Sequence, residues 1–159
     1  MTVYHGSTTE IKKPDVSFSK KYLDFGIGVY VTAFKNQAEK WALRKADRVE
    51  KGIATVNVFD MAEELNDYKV LDFKTENEEW LDFVCDNRDG TYYGPQYDFK
   101  FGPVANDDVY RTLALYRGGQ LSREDTLKQL KIKTLYNQLV FATAKALSFI
   151  RFMYSEVVS

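Results

Sequence analysis

Apolar positions along this chain follow two periods. Val3 to His5 and Val29 to Thr32 are short runs of β-branched and aromatic residues flanked by glycines, a pattern that predicts strands bounded by turns, with a long polar loop around Pro14 between them. From Asn36 to Val49 the spacing changes: Ala38, Trp41, Ala42, Ala46 and Val49 fall on one face of an amphipathic helix, with Gly52 placed to end it. Ala54 to Asp60 then alternates as a strand does, Lys69 to Phe73 is a further strand, and NEEWLDFVC predicts a short helix. Tyr97 to Phe101 reads as a strand. The turn-like FGPVANDD leads into a helix on which Val109, Leu113 and Tyr116 share a face before Gly118 and Gly119. Ser122, three positions before Asp125, marks the next helix start. Gln138 to Phe141 predicts a strand, Thr143 a helix cap, and Phe152 to Val158 a last strand. Short strands scattered among helices imply an α+β fold. With no repeat, low-complexity tract or linker, residues 1–159 read as a single domain.

Composition narrows the class of protein. Hydrophobic residues make up 45% and charged residues 28% of the chain, enough apolar material for a packed core and too much for disorder. A formal net charge of -1 from interspersed residues gives no field to attract nucleic acid or an anionic membrane. The first residues lack a secretory signal and no apolar run is long enough to span a bilayer, so the expectation is a cytoplasmic protein. Cys85 is the one cysteine and reads as a buried structural thiol; with a single histidine as well, the usual ligands of structural zinc are too few, and no metal is expected.

Two features carry candidate chemistry. The only histidine, His5, ends an apolar run and precedes Gly6, Ser7 and Thr8. Gly26 and Gly28 precede the strand that carries Tyr30, where glycines permit a tight turn or a close backbone approach. This is not a dinucleotide-binding Gly-x-Gly-x-x-Gly turn, because Val31, in an extended run, stands where a third glycine would open a helix. No phosphate-binding Walker loop is present either.

Taken in order, His5-Gly6-Ser7, then Gly26-Ile27-Gly28-Val29-Tyr30-Val31, then the helix bearing Trp41, the chain resembles the NAD cleft of ADP-ribosyltransferases of the diphtheria-toxin and poly(ADP-ribose) polymerase type. Its first half, including Gln37 to Ala42, is most similar to a little-characterised bacterial family of that clan. That family also has a Gly-Pro-Val-Ala-[ND]-Asp segment and a Gln-[YL]-Val-Phe segment, matched here by Gly102 to Asp107 and Gln138 to Phe141.

The resemblance implies a split antiparallel β-sheet core with flanking helices, and NAD as co-substrate. It implies that His5 hydrogen-bonds a ribose hydroxyl, that the backbone of Gly6 holds the nicotinamide carboxamide, that Ser7 adds a polar contact and that Gly28 lies against the cofactor. Tyr30 would stack on the nicotinamide. Trp41, eleven positions on, is either the opposite wall or a core residue. Gln138 stands where the family usually has a glutamate; an amide can bind ribose but carries no charge and cannot act as a base. The implied function is mono-ADP-ribosyl transfer to a protein or nucleic acid by a bacterial toxin of a toxin-antitoxin or phage-defence system, with a small antitoxin protein as partner. Two alternatives stay open: a non-catalytic NAD or ADP-ribose binding module, and a nuclease-like toxin using His5. Lys12, Lys13, Lys20 and Lys21 would meet the NAD pyrophosphate or only solvent. Asn106 and Asp107 read as turn and cap residues, and Tyr92, Tyr93 and Tyr97 as packing residues in preference to a substrate or partner surface.

Overall fold

The computed structural model describes residues 1–104, 107–131 and 137–159. The strands are β1 (Thr2–Ser7), β2 (Val29–Val31), β3 (Thr55–Met61), β4 (Val70–Asp72), β5 (Phe99–Pro103), β6 (Asn137–Phe141) and β7 (Ile150–Val157). The helices are α1 (Lys35–Asp47), α2 (Glu78–Asp89), α3 (Asp107–Arg117), α4 (Arg123–Lys131) and α5 (Ala144–Leu147). The fold is α+β, with a three-stranded sheet ordered β1-β3-β7 and a four-stranded sheet ordered β2-β6-β5-β4.

Strand alternation explains the layers. Val3, Phe59 and Met61 from the first sheet meet Val29, Val31, Phe99, Leu139 and Phe141 from the second, so the two sheets pack face to face. On the outer face of the first sheet, Tyr4, Val56 and Val58 pack against Ala38, Ala42 and Ala46 of α1. Alternation along β3 gives Val56 and Val58 to this face and Phe59 and Met61 to the other, and the register against β7 shifts between Val58 and Phe59. On the outer face of the second sheet, Val140 and Tyr30 pack with Trp80, Leu81 and Val84 of α2, Val109 and Leu113 of α3, and Leu130 of α4. The result is a four-layer stack, helix, sheet, sheet, helices.

Several expected boundaries move. Strand β1 runs to Ser7 because its full length pairs with β3, and β5 is shifted two residues beyond the expected range by its register with β6. Strand β7 begins at Ile150, opposite Met61. Helix α1 ends before Val49, which is 48% exposed, so the apolar stripe is shorter than the periodicity suggests. The sheets are not wholly antiparallel: β4 and β5 run parallel, which the long connection through α2 permits. Other expectations hold. Ser122 Oγ accepts from Asp125 N ahead of α4, Thr143 caps α5 by accepting from Ala146 N, and Cys85 is buried, its thiol pushed up to about 11 by that burial. Tyr92 packs edge-on against Phe83, whereas Tyr93 is 90% exposed and does not pack. Asn106 and the side chain of Asp107 lie outside the described residues, so the expected cap does too.

Candidate functional site

Among the described residues, one isolated bridge joins the two sheets edge to edge. Tyr4 and Thr32 exchange both backbone hydrogen bonds, at 2.8 and 3.0 Å, which joins β1 to β2. Beyond that bridge β1 follows β3 and β2 follows β6, and the ladder between β1 and β2 stops. His5 spans this split. Its Nδ1 lies 2.7 Å from the carbonyl oxygen of Tyr30, so a side chain replaces the missing strand bond. Because a carbonyl only accepts, Nδ1 carries the proton and Nε2 of the neutral ring is left with an acceptor lone pair. Burial and the neighbouring Lys45 charge lower the His5 pKa from 6.5 to about 4, against the opposing effect of the bond to Tyr30. The ring is therefore neutral throughout the physiological range.

Helix α1 closes one side of the split along a stripe at four-residue spacing, Gln37, Trp41 and Lys45. Gly6 lets it approach: a Cβ there would lie 2.2 Å from Ala38 O and 2.8 Å from Ala42 N, with Trp41 Cβ at 3.0 Å. Trp41 is half-buried rather than part of the fully buried stripe, which consists of Gln37, Ala38 and Ala42. Lys45 is exposed along its stem but turns its amine inward, donating to Gly6 O at 2.6 Å. Burial of that amine, with the charge of Lys20 nearby, lowers its pKa to about 8. Lys20 is thus the loop lysine that the structure draws toward the split, while Lys12 pairs with Glu10 at 3.2 Å.

Tyr30 is tied at its hydroxyl, which donates to Gly26 O at 2.6 Å and accepts from Phe25 N at 3.0 Å. Burial, helped by the negative charge of Asp24, raises its pKa, so the phenol stays protonated and serves as an anchor. Gly28 has a packing role: a Cβ would meet Val140 Cγ1 at 2.3 Å and Phe141 O at 2.9 Å, and its N–H donates to Ser19 Oγ at 3.0 Å. Ser7 is buried opposite Thr55 in β1. Gln138 is 3% exposed on β6 and paired with Gly102 of β5. Val140, two positions along β6, pairs with Tyr30, so strand alternation turns Gln138 toward the same face as Tyr30.

The structure thus gathers His5, Gly6, Tyr30 and Trp41 around the split and sets Gln138 along the same sheet end. Sequence reasoning missed Gln37, Thr32 and Lys45. In the sequence Gln37 shows only as a polar helix residue one position before Ala38 and four before Trp41. Among the described residues no group of three or more His, Cys, Asp or Glu side chains could hold a metal, and no helix is long and apolar enough to cross a membrane.

By fold and geometry this is an α+β protein with a polar split between two packed sheets, closed by one helix. The family model described as "Protein of unknown function (DUF3990)" matches residues 1–152, and the chain belongs to that family. No curated protein matches it.

Proposed function

We propose that this chain is an ADP-ribosyltransferase-like protein that binds NAD in the split between β1 and β2 and transfers ADP-ribose to a protein or nucleic-acid acceptor. The observation that carries this reading is the tie from His5 Nδ1 to Tyr30 O at 2.7 Å, which fixes the neutral tautomer and leaves Nε2 to accept from a ribose hydroxyl. Trp41 beside Gly6 offers an aromatic wall for the nicotinamide, while the Tyr30 ring, anchored at its hydroxyl, packs on the helix side of the four-stranded sheet. In the reaction the C1′–N bond of NAD breaks and nicotinamide leaves with the bonding pair. The acceptor's nucleophile forms the new bond and sheds a proton. Neutral Gln138 can orient the ribose but cannot take that proton, so the acceptor's own groups or water receive it. A toxin acting in the cytoplasm under restraint by a small antitoxin is the biological setting we infer.

A binding-only reading is favoured by the same Gln138, and by Lys45, which already occupies Gly6 O. Incubating the purified chain with NAD and following nicotinamide release separates the two. We expect release, lost in His5→Ala and in Tyr30→Ala. Binding of NAD without release would leave the module reading, and full activity in both variants would remove the split as the site.

A further inference from the structure

Two buried side-chain amides in this protein have hydrogen atoms with nowhere to go. Gln37 and Gln138 are each 3% exposed, and the Nε2 atom of each is shut from solvent with no hydrogen-bond partner. Glu156 Oε1 is similarly enclosed but is met by Lys35 Nζ at 2.6 Å, so among the described residues the two glutamines hold the enclosed side-chain atoms left without a partner. An enclosed donor without an acceptor costs about 1–3 kcal/mol, and native structures hold few of them.

Thr32 links the two glutamines. Its hydroxyl lies 2.9 Å from Gln37 Oε1 and 3.3 Å from the carbonyl of Asn137, the residue before Gln138, and accepts from Phe34 N at 3.1 Å. It also forms the Tyr4 bridge at which β1 and β2 part. Gln37 is held from behind at its carbonyl oxygen, with its amino group left over. Gln138 lines a cavity of about 270 Å³ at the ends of β4, β5 and β6, walled by Phe73, Phe101 and Gly102. Lys74, the one cation among the described lining residues, is paired with Asp72.

We propose that the amino groups of Gln37 and Gln138 are donors to a sugar hydroxyl of the bound nucleotide, making Gln37 a second ligand-binding amide of the site. This rests on the NAD reading above. A phosphate would call for an unpaired cation beside the amides. An apolar ring would leave both donors unsatisfied. A ribose hydroxyl accepts from an amide and donates its own proton onward, so it suits enclosed amide donors that lack an acceptor.

The test is calorimetric titration of the full chain and its Gln37→Met and Gln138→Met variants with NAD, nicotinamide riboside and nicotinamide, alongside the melting temperature of each unliganded protein. We expect both ribose-bearing probes to bind about tenfold more weakly or worse in each variant, the loss of one charge-free hydrogen-bonding pair, with nicotinamide unchanged. The unliganded melting temperature of Gln138→Met should hold or rise, because an unpaired buried amide is removed, while that of Gln37→Met should fall slightly, because the bond from Thr32 goes with it. Wild-type affinity for NAD in either variant overturns the proposal, as does equal weakening toward nicotinamide or a lowered melting temperature without any change in NAD affinity. If the wild-type chain binds none of the three probes, the NAD reading itself fails. Should Gln37→Met not fold, Gln37→Leu repeats the measurement and Gln138→Met carries its own half.

Discussion

The two outer faces of the stack are built on opposite principles. Behind the four-stranded sheet, Phe25, Phe73 and Phe83 pack ring on ring at 5.3–5.9 Å around Trp80, and three polar side chains that enter this core have partners. Trp80 Nε1 donates to Pro103 O at 2.9 Å, buried Lys100 donates to Phe25 O at 2.7 Å, and Arg88 Nε meets Asp24 at 2.7 Å. Around the β1–β2 split, by contrast, a neutral histidine keeps a free lone pair, an amine sits on a glycine carbonyl and two amides are unpaired. The aromatic side spends its polar groups on stability. The split holds its polar groups in reserve, as a site awaiting a ligand does.

The largest effect that bears on this contrast is Trp80→Ala. Removing a fully buried indole and its hydrogen bond should cost about 3–5 kcal/mol, read as a lower urea midpoint, with NAD affinity preserved in whatever fraction stays folded. A loss of NAD affinity in the folded fraction would show that the aromatic core shapes the site directly, and the division between the two sides would fail.

How much of this was legible beforehand depends on whether period or partner decides a residue's place. The α+β class, α1, the strand around Val140 and the caps at Ser122 and Thr143 follow from spacing and local side-chain chemistry, which the sequence displays. The parallel pairing of β4 with β5 and the two-residue displacement of β5 do not, because register is set by the neighbouring strand. At the candidate site, His5, Gly6 and Tyr30 were visible through glycine-flanked motifs, and Gln138 through the Gln-Leu-Val-Phe segment. Gln37 and Lys45 were not: each looks like an ordinary helix residue until α1 is seated on Gly6. Trp41 counted among the apolar stripe shows the same limit, since helical spacing cannot tell a core from the wall of a split.

Gly28→Ala tests the assignment of that glycine to packing rather than to ligand. The added methyl would press on Val140 Cγ1 at 2.3 Å and on the Phe141 carbonyl at 2.9 Å, and neither can retreat within a filled sheet. The expected cost is about 1–3 kcal/mol of stability. A variant that melts with the wild type while losing NAD affinity would move Gly28 from the structural side of the comparison to the site.

The smallest effect is the sharpest probe of the split, because the chain contains one histidine and its imidazole resonances can be followed alone. With its pKa lowered to about 4 in the folded protein and near 6.5 when unfolded, His5 favours the folded state only while neutral. Its contribution is complete above about pH 6.5 and is lost as pH falls from there toward 4. Lys45→Met removes the positive neighbour but not the burial, which is the larger cause. The His5 titration should therefore move up from about 4 yet stop short of 6.5, and the acid-side loss of stability should narrow with it. The same change frees Gly6 O from its amine, so nicotinamide should bind more tightly if that carbonyl takes the carboxamide. An unmoved His5 titration would mean that the amine does not bear on the ring, and the polar groups of the split would then act singly rather than as one site.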